Sequence, residues 1–209
     1  MIIEHFIYSS ALAILAGMVF YRYTGRDHSW IIIFCAWIPD LDGITNPILN
    51  HLGIRLILNG QLIHHGTFHN IAFMVIFSIT AAFLLHPLGI KFFDSLFFSI
   101  IGFGAHLFED ALVYKAGYPF LWPFSSKILG IGALPNMINE DYYIKDFFGI
   151  ANHEVLIIGL LVLLVAFIIR TYFEQSSSWI RWYMPETLYL ILSVQKSEKK
   201  TGSGDHGVR

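Results

Sequence analysis

Four short groups of histidine and aspartate stand out in this 209-residue chain. His106 and Asp110 lie four apart in GFGAHLFEDALVY. On a helix, residues at i and i+4 share one face, so an imidazole and a carboxylate there can reach one cation. A helix-end histidine bonded to a carboxylate has the same spacing, and the pair alone leaves both readings open. His64, His65 and His69 fall within HHGTFHN. His65 and His69 have the i,i+4 spacing of helical zinc motifs. His64 and His69 would lie roughly 140° apart on a continuous helix. They converge only if His64 occupies a preceding turn, which Gly66 permits. Asp40 and Asp42 flank Leu41 in PDLDG. Paired carboxylates can bridge or separately bind hard or borderline cations, although Asp and Gly also build ordinary turns. His5, beside Glu4 at the start of an apolar stretch, reads alone as a helix-start residue.

The donors are imidazoles and carboxylates. Cys35 is the only cysteine, which excludes an internal disulfide and argues against a thiolate site. Such a donor set fits zinc, manganese or iron better than calcium. It also exceeds what one tetrahedral ion needs, pointing to two divalent ions or to one ion with outer partners.

The elements that must position these groups are membrane helices. The chain is 56% hydrophobic and 13% charged, against about 25% charged in a soluble domain. Its net charge of −2 offers no basic footprint for nucleic acid. A spanning helix needs about 20 apolar residues, and Ile2–Tyr21, Ile71–Ile90 and Val155–Ile169 approach that length. Phe92–Phe108 carries Asp94 and glycines, and His28–Pro39 is too short to cross alone. The expectation is an all-α integral membrane bundle of about five helices with a His/Asp metal site at one membrane face. Residues 1–172 form the embedded domain. Residues 173–209 form an interfacial segment, WIRWYMPETLYLILS, and a disordered tail. Glu4 stands where a signal peptide would carry a basic residue, so the first helix is expected to be retained.

Alternating helices gather the His/Asp groups on one side. Nine Lys and Arg, including Arg22, Arg26, Lys91 and Arg170, then fall on the other side, against four on the cluster side. The positive-inside rule puts the tail in the cytoplasm and the cluster outside a cell (inner or plasma) membrane. The aromatic run Tyr118–Ser126 reads as a loop at the interface or a lipid-contacting rim.

His5, PDLD at 39–42, HxGxxH at 64–69, GxxxHxxxD at 102–110, Gly117 and LWPF at 121–124 occur in that order. As an ordered set over about residues 1–130, they resemble the membrane-bound metal-dependent hydrolase family typified by the YdjM inner membrane protein. That family is held to be distantly similar to the all-helical zinc-dependent phospholipases C. The resemblance implies metal roles for His5, Asp40, His64, His69, His106 and Asp110, and less directly for Asp42. Where the family has Arg in an H-R-G motif, this chain has His65, which would take over or lose that residue's role.

The expected function is metal-assisted hydrolysis of a phosphoester, best guessed as a phospholipid or lipid-linked substrate. Asp42, Asp110 and His65 are the candidate catalytic groups, and membrane lipids the expected partners. One alternative is a metal-ion transporter, since intramembrane His and Asp also mark ion pathways. The opposite half offers only His86 and Asp94 for such a path. Another is a non-catalytic membrane protein fastened by a structural metal with a closed ligand set.

Overall fold

Ile2–Thr24 forms α1, with Glu4 in its first turn and Arg22 in its last, each charge matched to the local end of the helix dipole. It ends at Gly25, whose φ of 68° is the left-handed conformation glycine adopts readily. The computed structural model describes residues 2–55, 57–58, 61–62, 66–113, 117–132, 153–175 and 178–183. After α1 come α2 (Trp30–Cys35), α3 (Leu41–His51), α4 (Ile71–Leu85), α5 (Phe92–Val113) and α6 (His153–Glu174). The fold is all-α, apart from a two-residue antiparallel ladder of β1 (Ile57–Leu58) and β2 (Gln61–Leu62) and one isolated bridge in a later loop.

Among the described residues four helices are long and apolar enough to cross a membrane: Ile3–Thr24, Ile71–Leu88, Phe92–Leu112 and Val155–Glu174. The chain is therefore a multi-span membrane protein of the expected class. The helix over 41–51 was not among the expected elements. Its sequence, LDGITNPILNH, holds Gly, Thr, Asn and an internal Pro47, all poor helix formers. The chain divides into two compact units, Met1–Arg170 and Thr171–Arg209. Of the second, the end of α6 and a short 3-10 segment, Ser178–Tyr183, are described, with Trp179 packed edge-on against Tyr183.

Within the first unit α5 is the central element, packing on α4, α2 and α1. Gly102 sets its approach to α2, because a Cβ there would lie 2.6 Å from the carbonyl oxygen of Ile32. Phe103 and Leu107 on α5 form a core with Phe120, joined by Ile38, Phe73 and Met74. Phe120 belongs to the aromatic loop, so that segment is anchored rather than merely interfacial. The loop closes on itself through the Tyr118–Leu129 bridge. Its carbonyls at Phe120 and Trp122 accept from the first N–H groups of α4. Leu121, Phe124 and Ile128 remain exposed along its outer edge.

Candidate metal centre

The turn between α2 and α3 places Asp40 at the start of α3, but its side chain makes no cap hydrogen bond. The carboxylate instead turns toward α1 and α5. Two residues on, Asp42 Oδ2 accepts from the backbone N–H of Gly66 at 2.9 Å and of Phe68 at 3.0 Å. This fixes the turn carrying His69. Gly66 is required there: its φ is 98°, and a Cβ would lie 2.6 Å from the Tyr118 ring. Tyr118 in turn packs on the His69 ring at 4.4 Å between centroids. Asn70 caps α4 by accepting from Phe73 N–H, and so fixes where the helix begins after His69.

His5 from α1, Asp40, His69, and His106 and Asp110 from α5 meet at one end of the bundle, each 5% exposed or less. Ligand atoms of His5, Asp40 and His106 lie within 4.8 Å of one another, as do those of His69, His106 and Asp110. His69 Nε2 is 3.3 Å from both Asp40 Oδ1 and Asp110 Oδ2. His106 Nε2 is 3.3 Å from Asp110 Oδ2 and 3.6 Å from Asp40 Oδ1. His5 Nε2 lies 3.6 Å from Asp110 Oδ1 and 3.9 Å from Asp40 Oδ2.

All three imidazoles therefore point Nε2 inward and Nδ1 outward, and each Nδ1 faces an acceptor. His106 Nδ1 donates to the carbonyl oxygen of Ala36, which Gly102 brings within reach by letting α2 approach α5. His5 Nδ1 donates to Glu109 Oε2 at 2.9 Å. His69 Nδ1 lies 3.5 Å from Asp42 Oδ2. An acceptor at the outer nitrogen fixes the tautomer and leaves the inner nitrogen's lone pair for a ligand, the usual arrangement of metal-binding histidines.

The donor set fits a divalent transition metal. His5 Nε2 and Asp110 Oδ1 are buried without a hydrogen-bond partner, and a buried polar atom in that state is costly unless something satisfies it. Among the described residues, no lysine or arginine pairs with Asp40, Glu109 or Asp110. His106 has one inward nitrogen and belongs to both groups, so two ions at once would have to share carboxylates rather than this imidazole.

Of the expected site residues, His5, Asp40, His69, His106 and Asp110 converge. Asp42 lies beside His69 on the outer side, engaged by backbone N–H groups. His64 and His65 fall outside the described residues. Sequence reasoning missed Glu109, although the acid doublet Glu109-Asp110 was visible one helical turn beyond His106. Ala36 carried no sequence signal at all, because its part is played by a carbonyl.

Glu109→Gln keeps an acceptor for His5 but removes the charge, and should weaken metal affinity about 10–100-fold without unfolding the chain. Titration against a competing chelator measures this. Unchanged affinity would mean that Glu109 does not orient His5.

Burial alone would lower the pKa of His69, but Asp110, Asp40 and Asp42 outweigh it and hold the imidazole well above its ordinary value. Asp40 moves the other way: burial opposes ionisation, and the imidazoles of His106, His69 and His5 overcome it. A metal engaging His69 must therefore displace a proton. Binding should weaken as pH falls and should release protons, read by calorimetry in buffers of different ionisation enthalpy. A binding heat independent of buffer would contradict it.

The opposite end of the bundle is built differently. Arg170, fully buried, bonds Asp27 Oδ2 at 2.6 Å and the carbonyl of Ile14 at 3.2 Å. Arg26 holds Asp94 through bonds of 2.7 and 3.1 Å. Arg170 is thus an interior residue and not the water-facing flanking charge that its place after an apolar run suggests.

No curated protein and no solved structure matches the chain. The YdjM inner membrane protein family matches residues 1–195, well past the ordered motifs that end near residue 130. With nearly the whole chain covered, and with a buried His/Asp cluster at one end of a bundle whose described residues include four helices able to span a membrane, the protein belongs to the YdjM inner membrane protein family.

Proposed function

We propose that this chain is a membrane-bound, metal-dependent hydrolase acting on a phosphoester, with a phospholipid or lipid-linked compound as substrate. The observation that carries the reading is the common orientation of His5, His69 and His106, each with Nε2 aimed at Asp40 and Asp110 and Nδ1 held from outside. These five side chains would hold the ion or ions, zinc being the best fit to the donors, with manganese or iron as alternatives. When bound, such an ion lowers the pKa of a water toward about 7 and stabilises charge developing on a phosphoryl oxygen.

The chain's own residues supply the rest. Glu109, Asp42 and the Ala36 carbonyl orient the imidazoles. Asp110 Oδ1, buried and without a hydrogen-bond partner, would take a proton as general base. Asp42 Oδ2 is occupied by the Gly66 and Phe68 N–H groups and serves orientation instead. Burial of the cluster excludes bulk water and strengthens every charge interaction in it.

A transport path would need polar groups in series across the bilayer. Asp27, Asp94, Arg26 and Arg170 at the other end are engaged with one another, which favours a one-sided site.

Metal-loaded protein in phospholipid vesicles should release a phosphorylated product, stop on chelation and restart on adding metal. Asp110→Asn should lower the rate at least about 100-fold. Metal-replete protein with no turnover on phospholipids or soluble phosphodiesters would leave the ion a structural role. Metal uptake into protein-containing vesicles would instead favour the carrier.

A further inference from the structure

Away from the buried cluster, α1, α5 and α6 part to leave a groove of about 730 Å³, open along one side. Its lining is almost wholly apolar, with Leu12 from α1, Ile101, Ala105 and Phe108 from α5, and Ile158 from α6. The one ionisable carboxylate in the lining is Glu109, the partner of His5 Nδ1. The groove follows α5 from Ile100 to Leu112, about 18 Å at 1.5 Å per residue. The hydrocarbon of one leaflet is about 15 Å deep, half of the roughly 30 Å core.

The lining selects the occupant. Its apolar side chains give a flexible alkyl chain the environment of the bilayer core, and its length matches that of a chain spanning one leaflet. All three walls are helices long and apolar enough to cross a membrane, and the groove runs to the metal-centre side of the bundle, where Glu109 lies.

We infer that this groove is a lateral binding site for an acyl chain of a membrane lipid, with the headgroup directed past Glu109 toward His5. The side chain of Glu109 is 16% exposed, bordering both the groove and the buried cluster. That the bound lipid is the substrate rests on the hydrolase reading above. That the groove binds a lipid chain does not.

The test places the full chain in vesicles of phosphatidylethanolamine and phosphatidylglycerol doped with a phospholipid carrying a diazirine at mid-chain. Photocrosslinks are mapped by peptide mass spectrometry. Crosslinks should concentrate on Leu12, Ile101 and Ala105. Leu12→Trp fills the groove and should lower that yield about tenfold, the loss expected when a chain gives up burial of two or so methylenes. Ala105→Leu is a smaller insertion that should act in the same direction, in case the tryptophan variant does not fold. Ile168→Trp, on an outward position of α6, should leave the yield unchanged. Crosslinks spread evenly over the outward faces of α4 and α6, and indifferent to Leu12→Trp and Ala105→Leu, would overturn the inference. Metal content is measured on the same samples. Groove-confined crosslinks on a protein that binds no metal would uphold the lipid site and remove the hydrolase reading.

Discussion

Protein purified in mild detergent should carry about one or two equivalents of a divalent transition metal per chain, and Asp110→Ala should carry almost none. Asp110 is the residue on which most of the cluster depends. Its Oδ2 lies 3.3 Å from the inner nitrogens of both His69 and His106, and its Oδ1 lies 3.6 Å from that of His5. Removing it takes away a ligand and the charge that offsets three imidazoles, so the loss should exceed the roughly 100-fold attached to an outer partner. His106→Ala should have a comparable effect, because both groups of ligand atoms include that residue. Elemental mass spectrometry reads the content, and circular dichroism confirms that the helices persist. Folded wild-type protein with no metal above background, unaffected by chelator, would sink the metal centre and leave three histidines packed among acids.

The second large effect lies at the other end of the bundle. Arg170→Met should destabilise the protein by about 3–5 kcal/mol, the cost of leaving one partner of a buried ion pair behind. Asp27 is 1% exposed and bonded to the guanidinium at 2.6 Å. Without Arg170 it keeps the Ser29 N–H at 2.8 Å but no compensating charge. The double variant Asp27→Leu/Arg170→Met should regain most of the loss, since apolar replacement of a whole buried pair is often neutral. Gly17→Ala should also destabilise. Its Cβ would lie 2.4 Å from Ser29 Oγ and 2.7 Å from Asp27 Oδ2, in space the pair already fills. Unfolding of detergent-solubilised protein measures all three. A double variant as unstable as Arg170→Met alone would contradict this account of the pair.

Much of this was legible in the sequence, for identifiable reasons. Long apolar runs report their own helices because the bilayer imposes a length, and α1, α4, α5 and α6 follow those runs. The i,i+4 spacing of His106 and Asp110 is local, so a helix alone suffices to join them. Contacts made across the bundle left no such trace. The pairing of His5 with Glu109 spans 104 positions, and that of Arg170 with Asp27 spans 143. The Ala36 carbonyl could not be recognised, because its usefulness depends on how closely α2 approaches Gly102. Asp40 was ambiguous in the sequence, since Asp and Gly side by side also build ordinary turns. Here the side chain leaves the cap unmade and joins the cluster. The short helix over 41–51 went unseen because its composition contradicts it, and tertiary packing overrides propensity.

The positions of the ionisable groups along the spans bear on how the protein is made. Glu4 and His5 lie in the first turn of α1, Asp94 in the first turn of α5, and Arg170 one turn from the end of α6. His106, Glu109 and Asp110 fall within the last two turns of α5. A charged side chain is costly at the bilayer centre but can reach the headgroups from near a helix end. Each span can therefore enter the membrane separately, with its ionisable groups hydrated at its margins. Docking of the inserted helices then draws those groups out of water and into one another. The order of events follows from this placement: insertion first, helix association second, and the inward-facing imidazoles brought together only once α1, α4 and α5 have met.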